Sequence, residues 1–525
     1  GEDAAGDLRE VVRTAQARQF ATQQLKDIED LAKLQGAPQF RLDPWRYPHS
    51  AKGRRCALLR LAHPEPGTRE EAVACRLVDG VAPGFSNPLP KNWASRIPTA
   101  VLQQMGSLNE EQREAVGRIL RAEDYAIVKG LPGTGKTTML SVVLQMLHYL
   151  GHRVLFVAGT NSAVDTVLMK LTAMAPAEVR FARVGRPEAV DPALHAHLVP
   201  RGFAGVAQVE LFVQQHPILA STCTSAKDPL LTGRSFDYVI VDEASQIPEV
   251  DLIVPLCLGD KFLLVGDDKQ LPPLVLSDTA RDAGMSTSLL ERLSVLHPAG
   301  VCELSLQYRM NNEITTAVNE VAYGGKLRCA SPAVAAARLK LPGVPSGPAW
   351  ARAALDPTRG VVFLDTDGSL PMGREHRTGT KVENPFEATA VQKLVGSLRE
   401  AGVLGQDIAV LSPYNLQLNR IQGALMEAAP SASNVSVLTI DKSQGRDLKC
   451  VIVSLVRSNT ERNVGGLLLD WRRLNVALSR AQQKLILVGS RSTMASAADQ
   501  GEGGAALKRL VTLAQESGWV VPLIS

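Results

Sequence analysis

Gly130-Leu-Pro-Gly-Thr-Gly-Lys136-Thr137-Thr138 fits the pattern G-x-x-x-x-G-K-[ST] and lies where such a loop has to lie. An apolar run, Tyr125-Ala-Ile-Val128, precedes it and reads as a strand. A helical pattern from Met139 to Leu150 follows it and stops at Gly151. Glycines let backbone N–H groups fold around phosphate oxygens, and the helix N-terminus adds the positive end of its dipole. Gly130, Pro132, Gly133, Thr134, Gly135, Lys136, Thr137 and Thr138 are therefore expected to cradle a nucleotide. Lys136 is expected to reach the β- and γ-phosphates, and Thr137 to hold Mg²⁺. With strand, loop and helix in this order, an incidental lysine in a turn is a poor account of the stretch.

Downstream, Val239-Ile-Val-Asp242-Glu243-Ala-Ser-Gln246 reads as a buried strand ending in two carboxylates. Acidic residues after strands often do no more than cap helices. Following a phosphate loop they fit a metal and a water: Asp242 as an Mg²⁺ ligand, Glu243 as the group that orients or deprotonates the nucleophile. A further strand ends in Gly-Asp267-Asp268-Lys269-Gln270-Leu-Pro-Pro273, which puts Gln270 where it can sense the γ-phosphate or the water. Its plainer reading is a proline-stiffened turn. Ahead of the loop, Leu108-Asn109-Glu-Glu-Gln112 carries an amide that both donates and accepts, as an adenine edge requires.

In the second half, Leu306-Gln307-Tyr308-Arg309-Met310 and Leu474-Asn475-Val-Ala-Leu-Ser479-Arg480-Ala481 each set an arginine beside an apolar element. Arg309 and Arg480, closing from a second unit on a nucleotide held by the first, would stabilise charge on the transferred phosphoryl group, an effect of about 10³ to 10⁵ in rate. Composition alone does not select these two arginines. Thr439-Ile-Asp441-Lys-Ser443-Gln444-Gly445-Arg446-Asp447 follows a strand; Gly445, Asp447 and their neighbours suit phosphates and a nucleic-acid backbone, or simply a strand-to-helix turn.

Alternating strands and helices run from 101 onward. Strands are expected at 125–128, 153–158, 218–222, 237–241 and 262–266, then at 361–365, 408–412, 436–440, 451–456 and 484–488. Helices are expected at 162–174, 384–401, 415–428 and 473–482, with a loop at 330–360. The fold class is α/β: two doubly wound parallel sheets in tandem. The division expected is an accessory region at 1–100, a first unit at 101–300 and a second at 301–525. Residues 8–35 suggest an amphipathic stalk helix. Residues 40–100 suggest a small, partly β region through runs such as Cys56-Ala-Leu-Leu, read as part of a small barrel.

The 525 residues, with 45% hydrophobic and 21% charged, describe an ordinary globular protein. A net charge of +4 is compatible with nucleic acid without requiring it. None of the 7 cysteines forms a C-x-x-C pair, so no zinc or iron–sulfur signature is present, and a reducing compartment is expected. No apolar run approaches membrane-spanning length, and the acidic start is neither a signal nor a transit peptide.

The ordered set LNxxQ, GxPGTGKTT, VDEASQ, VGDxxQLPP, QYRM, SQGRD and LNVALSRA resembles superfamily 1B helicases, over about residues 104 to 492. Within that group the text around it is similar to the helicase half of the eukaryotic replication ATP-dependent helicase/nuclease. Glu123-Asp-Tyr-Ala-Ile-Val-Lys-Gly130, Asn161-Ser-Ala-Val-Asp165, Leu455-Val-Arg-Ser-Asn459 and Asp470-Trp-Arg-Arg-Leu-Asn-Val-Ala477 carry this likeness. The resemblance implies RecA-like sheets, ATP and Mg²⁺ between them, and 5′→3′ travel on single-stranded DNA in a nucleus or a DNA-containing organelle. It implies that Gln112 contacts adenine, that Tyr308 stacks on the base, and that Gln270, Arg309 and Arg480 face the γ-phosphate.

The same resemblance runs the nucleic acid over the tops of both sheets, past Thr160, Asn161, Ser162, Thr222 and Thr224, then Pro413, Tyr414, Thr439 and Ser443. Hydroxyl, amide and aromatic groups at strand ends suit phosphate contact and base stacking. The family's nuclease needs a Glu-x-Lys carboxylate centre and clustered cysteines; residues 1–100 contain no Glu-x-Lys, and no cysteine cluster occurs. No nuclease activity of that type is expected of these residues. Either such a segment belongs upstream of Gly1 or the chain is a helicase-only relative. The ATP motifs do not separate DNA from RNA. An RNA helicase of the same group, or a nucleic-acid-binding scaffold with weak ATPase, stands beside the DNA reading. A P-loop kinase would leave the second unit and its two arginines without a purpose.

Overall fold

Strands with both faces covered must be apolar throughout, and the runs flanking the glycine loop are of that kind. A computed structural model describes residues 49–86, 93–231, 233–428 and 434–524. The chain divides after Gly53, and both of its large sheets lie in the unit from Arg54 to Ser525. The first sheet contains β1 Tyr125–Gly130, β2 Val154–Ala158, β3 Phe181–Arg183, β4 Ile218–Thr222, β5 Phe236–Asp242, β6 Gly259–Gly266 and β7 Val301–Leu304. All pair in parallel, in the order β3-β4-β2-β5-β6-β1-β7. In β2, Val154, Phe156 and Ala158 enter one core, with residues of the helices Lys136–Tyr149 and Asn161–Met174. Leu155 and Val157 enter the opposite core, with Val73, Leu252 and Leu289. Burying a side chain such as Phe156 contributes about 1.5–3 kcal/mol.

The second sheet contains β8 Val361–Asp365, β9 Ile408–Ser412, β10 Ser436–Thr439, β11 Leu448–Ser454, β12 Ala481–Gly489 and β13 Val520–Pro522. It is also parallel, in the order β10-β9-β11-β12-β8-β13. Val451 and Val453 of β11 pack with residues of the helices Trp471–Leu478 and Gly501–Glu516; Cys450 and Ile452 pack with residues of Pro385–Glu400. Each sheet is thus covered by helices on both faces, the doubly wound arrangement expected of the alternation.

The structure differs from the sequence reading in several places. Cys56-Ala-Leu-Leu lies inside the helix His49–Ala62, not in a strand. The run is built from good helix formers, and Ala57 and Leu61 fall on one buried face at helical spacing. From 54 to 100 the described residues show no barrel, and their pairing is limited to a bridge between Phe85 and Ala122. The stalk helix expected at 8–35 lies outside the described residues.

The helix expected at 473–482 runs Trp471–Leu478, and its last expected residues already belong to β12. The segment 330–360 contains two short helices, Pro332–Ala335 and Ala349–Ala354. Gly501–Glu516 gave no helical signal because glycine costs about 1 kcal/mol per residue in a helix. Gly503 and Gly504 are nonetheless required, since a Cβ on either would strike the carbonyls of Leu469 and Ala497. Finally, β7 lies beyond residue 300 and completes the first sheet.

Candidate functional site between the two sheets

Adjacent strands β5, β6 and β1 bring their C-terminal ends to one edge. β5 ends at Asp242, β6 leads into Asp267 and Gln270, and β1 leads into the glycine loop. The second sheet meets this edge with its opposite end: Arg480 directly precedes β12, and Asp447 directly precedes β11. Between them lies a cleft of 1940 Å³. Of the expected residues, Pro132, Gly133, Thr134, Gly135, Lys136, Thr137, Thr138, Thr160, Ser162, Asp242, Glu243, Gln270, Tyr308, Arg309, Gly445, Asp447 and Arg480 line it.

The loop has the shape a phosphate cradle needs. Gly133 and Gly135 have φ of 74° and 77°, where only glycine is unstrained. A Cβ at Gly133 would lie 2.7 Å from the Arg309 Cβ, and one at Gly135 2.7 Å from the Gln112 Nε2. Lys136 Nζ donates to the Gly130 carbonyl at 2.6 Å, folding the ammonium back over the loop. Gln112 sits behind the loop. Its amide closes a capping box with Asn109 and donates to the Thr134 carbonyl at 2.8 Å. Tyr308 is half exposed; its backbone N–H bonds the Gly133 carbonyl at 2.9 Å and its hydroxyl accepts from Asn109 at 2.9 Å.

Asp242 is buried, and its Oδ1 has no hydrogen-bond partner. Burial, and then the neighbouring Glu243 charge, push its carboxyl up to about 7, with Lys136 opposing. A buried orphan carboxylate oxygen on the cleft that Thr137 also lines fits the oxygen ligands Mg²⁺ takes alongside phosphates and water. Glu243 occupies the left-handed region at φ 50°, a strained position for a non-glycine residue. Its carboxylate accepts from Gln246 at 3.0 Å.

Arg309 and Arg480 converge on one carboxylate. Arg309 pairs with Asp447 Oδ1 at 2.8 Å, and Arg480 reaches the same oxygen at 3.8 Å. Burial, reinforced by Arg309, lowers Arg480 to about 10. Three of its nitrogens are also tied, to the Val476 and Arg446 carbonyls and the Ser479 hydroxyl.

The expected nucleic-acid residues divide into two sets. Thr160, Ser162 and Thr224 are exposed at the C-terminal ends of β2 and β4, and Pro413, Tyr414 and Thr439 are half-buried at the ends of β9 and β10. The others are more enclosed and bond within the protein, as Thr160 also does in capping the helix Asn161–Met174. Asn161 accepts from the buried Arg183 at 2.6 Å. Thr222 caps a short turn through Ser225. Ser443 is fully buried and donates to the Ile440 carbonyl at 2.6 Å, so its hydroxyl does not reach the surface.

Sequence reasoning passed over Asp267, Tyr323 and Asn475, which are buried, and the half-buried Gln444; with Gln270 they form one network. Three of the four lie inside quoted motifs and could have been weighed there. Tyr323 lies in none.

At the far end of β11 sits a buried Glu387, which accepts from Ser454 at 2.7 Å and the Val456 N–H at 2.9 Å. Burial pushes it up from an ordinary 4.5 to about 8. The folded state therefore holds its proton where the unfolded chain has released it. Stability should be full below about 4.5 and fall by up to about 1.4 kcal/mol per pH unit until the folded value is passed. Glu387→Gln, which mimics the protonated side chain, should flatten this decline; unfolding midpoints from pH 5 to 9 check it.

Two family models, each described as an AAA domain, match residues 107–205 with 204–278, and residues 285–492. The DNA replication ATP-dependent helicase/nuclease JHS1 of Arabidopsis thaliana is 42% identical over 391 residues, covering 74% of this chain and 29% of the relative. The chain belongs to the superfamily 1B helicases. The DNA replication ATP-dependent helicase/nuclease DNA2 of Mus musculus is 41% identical over 404 residues, covering 74% of this chain and 37% of the relative. The Homo sapiens protein of that name is 39% identical over 399 residues, covering 73% and 37%. This helicase chain therefore spans well under half the length of these relatives. Among solved structures, arterivirus nonstructural protein 10 (helicase) with DNA overlaps with a TM-score of 0.38 at 15% identity, over 77% of this chain and 67% of that one. Among the described residues, no helix is long and apolar enough to cross a membrane.

Proposed function

We propose that this chain is an ATP-dependent DNA helicase or translocase that moves 5′→3′ on single-stranded DNA in replication or repair. The observation that supports it best is the convergence in one cleft of a phosphate loop, a two-carboxylate strand end and two arginines, Arg309 and Arg480, that share Asp447 at the near end of the second sheet. A P-loop enzyme working within one sheet has no use for the last of these.

The roles follow from the chemistry. The loop N–H groups and Lys136 hold the β- and γ-phosphates. Thr137 and Asp242 would hold Mg²⁺, which neutralises developing phosphate charge when bound. Glu243 takes the proton of the attacking water, and Gln270 orients that water. Arg309 and Arg480 exchange their shared Asp447 for the γ-phosphate and stabilise its transition-state charge. Tyr308 stacks on the base, and Gln112 offers the second N–H of its amide to the adenine edge. Because both edges of the cleft carry catalytic groups, hydrolysis and the spacing of the sheets are linked, and exposed groups at the strand tops carry the strand. The first RecA-like domain would extend from about residue 101 through β7, and the second from there to the C-terminus, with residues 1–100 an accessory region. A nuclear location accords with replication or repair.

Steady-state ATP hydrolysis without polymer, with single-stranded DNA and with single-stranded RNA, at one fixed salt concentration, tests this reading. Strong stimulation by DNA alone is expected. Equal stimulation by RNA would move the chain to the RNA branch of its group, and no hydrolysis under any condition would leave only a scaffold.

A further inference from the structure

A hydrogen-bonded path crosses between the two sheets behind Gln270. Tyr323 packs with the second sheet's core, yet its hydroxyl donates to Asp267 Oδ2 on the first at 2.6 Å. Having spent its proton there, the hydroxyl oxygen accepts from Asn475 Nδ2 at 2.9 Å. The other hydrogen of that amide goes to the Lys269 carbonyl at 2.7 Å, again across the cleft. Asp267 Oδ2 also accepts from Gln270 Nε2 at 2.9 Å, and its Oδ1 accepts from the Lys269 N–H at 3.0 Å. With its nitrogen turned to Asp267, Gln270 presents Oε1 outward, where Gln444 of the second sheet donates at 3.3 Å.

Two further features mark Tyr323. The helix that carries it ends in a widened turn, Gly324 N–H to the Asn319 carbonyl at 2.8 Å, followed by a left-handed Gly324 at φ 56°. Such turns are uncommon and redirect a side chain. Burial and the Asp267 charge also hold the Tyr323 hydroxyl well above its ordinary value, so it stays a donor at every working pH.

We infer that Tyr323 and Asn475 are positioning residues: they fix the Asp267 carboxylate, and through it the orientation of Gln270, only while the two sheets hold this spacing. The inference rests on the proposed ATPase reading for its kinetic consequence but not for its structural one. Gln270 would be an acceptor toward the nucleophilic water when the path is complete, and would lose that orientation when the sheets part.

Tyr323→Phe keeps the buried ring and removes the hydroxyl. In the nucleotide-free full chain, the Lys269 and Gln270 amides should exchange with solvent about 10-fold faster in Tyr323→Phe and in Asn475→Ala. DNA-stimulated kcat should fall about 10-fold, with KM for ATP within about two-fold of wild type, and the double variant should be no worse than the poorer single one. A variant that merely loosened the fold would move KM and kcat together. Unchanged amide exchange in both variants overturns the path whatever the enzyme does. So does additive loss of kcat in the double variant. If the wild type failed to hydrolyse ATP while the exchange difference remained, the function reading would fall and the structural path would stand.

Discussion

Lys136→Ala should lower the kcat for ATP hydrolysis about 10²–10³-fold, the cost of removing one preorganised positive donor from a phosphoryl-transfer site. Lys136 has little structural duty. Its ammonium bonds only the Gly130 carbonyl, at the mouth of an open cleft that water can enter. Truncation takes a counter-charge from the buried Asp242 and Asp267, which can answer by binding a proton, so the unfolding free energy should change by about 1 kcal/mol at most. One second-order effect works in the same direction. Lys136 opposes the rise of Asp242, so its loss should favour the protonated carboxyl and weaken the metal site. Single-turnover hydrolysis alongside a thermal melt separates the two costs. A variant that melts normally and still turns over at the wild-type rate would remove the assignment of the whole cleft.

Lys136 was legible from sequence because everything that defines it is local. A strand, a left-handed glycine pair and a helix start all fall within a few residues, and each has a steric cause. The same holds for Asp242, at the end of a run that alternates between two buried faces. Legibility fades where a partner is distant in the chain. Gln112 reads as an adenine contact, while its second duty, bracing the loop from behind at Thr134, depends on a residue 22 positions away. Ser443 has the composition of a phosphate contact, yet the turn it occupies aims the hydroxyl inward. Tyr323 and Asp267 are 56 residues apart, and no local pattern connects them. The short strands β3, β7 and β13 escaped for a different reason: three or four residues are too few to display a period, and each is held by its neighbours in the sheet rather than by its own sequence.

The arginines are where distance in the chain and chemistry meet, and they yield the second large effect. Arg309→Ala and Arg480→Lys should each reduce DNA-stimulated kcat by about 10³-fold or more. Their common partner explains why both matter. One Asp447 oxygen holds both guanidinium groups, so both are already aimed at a single point in the cleft, and a γ-phosphate arriving there replaces one carboxylate charge with more than one. Losses from groups that act together do not add, and the double variant should be little worse than either single one. Stability should separate the pair. Arg480 is fully buried and satisfies two backbone carbonyls, so Arg480→Ala would also cost about 1–3 kcal/mol in folding through the acceptors it orphans, which is why lysine is the informative replacement. Arg309 retains some exposure and donates to the Ser479 carbonyl alone among backbone groups, so its alanine variant should melt closer to wild type. Equal kinetic losses with unequal melts would mark the two as one catalytic unit built from differently buried parts. A normal kcat in Arg309→Ala would instead leave Arg480 as the single finger.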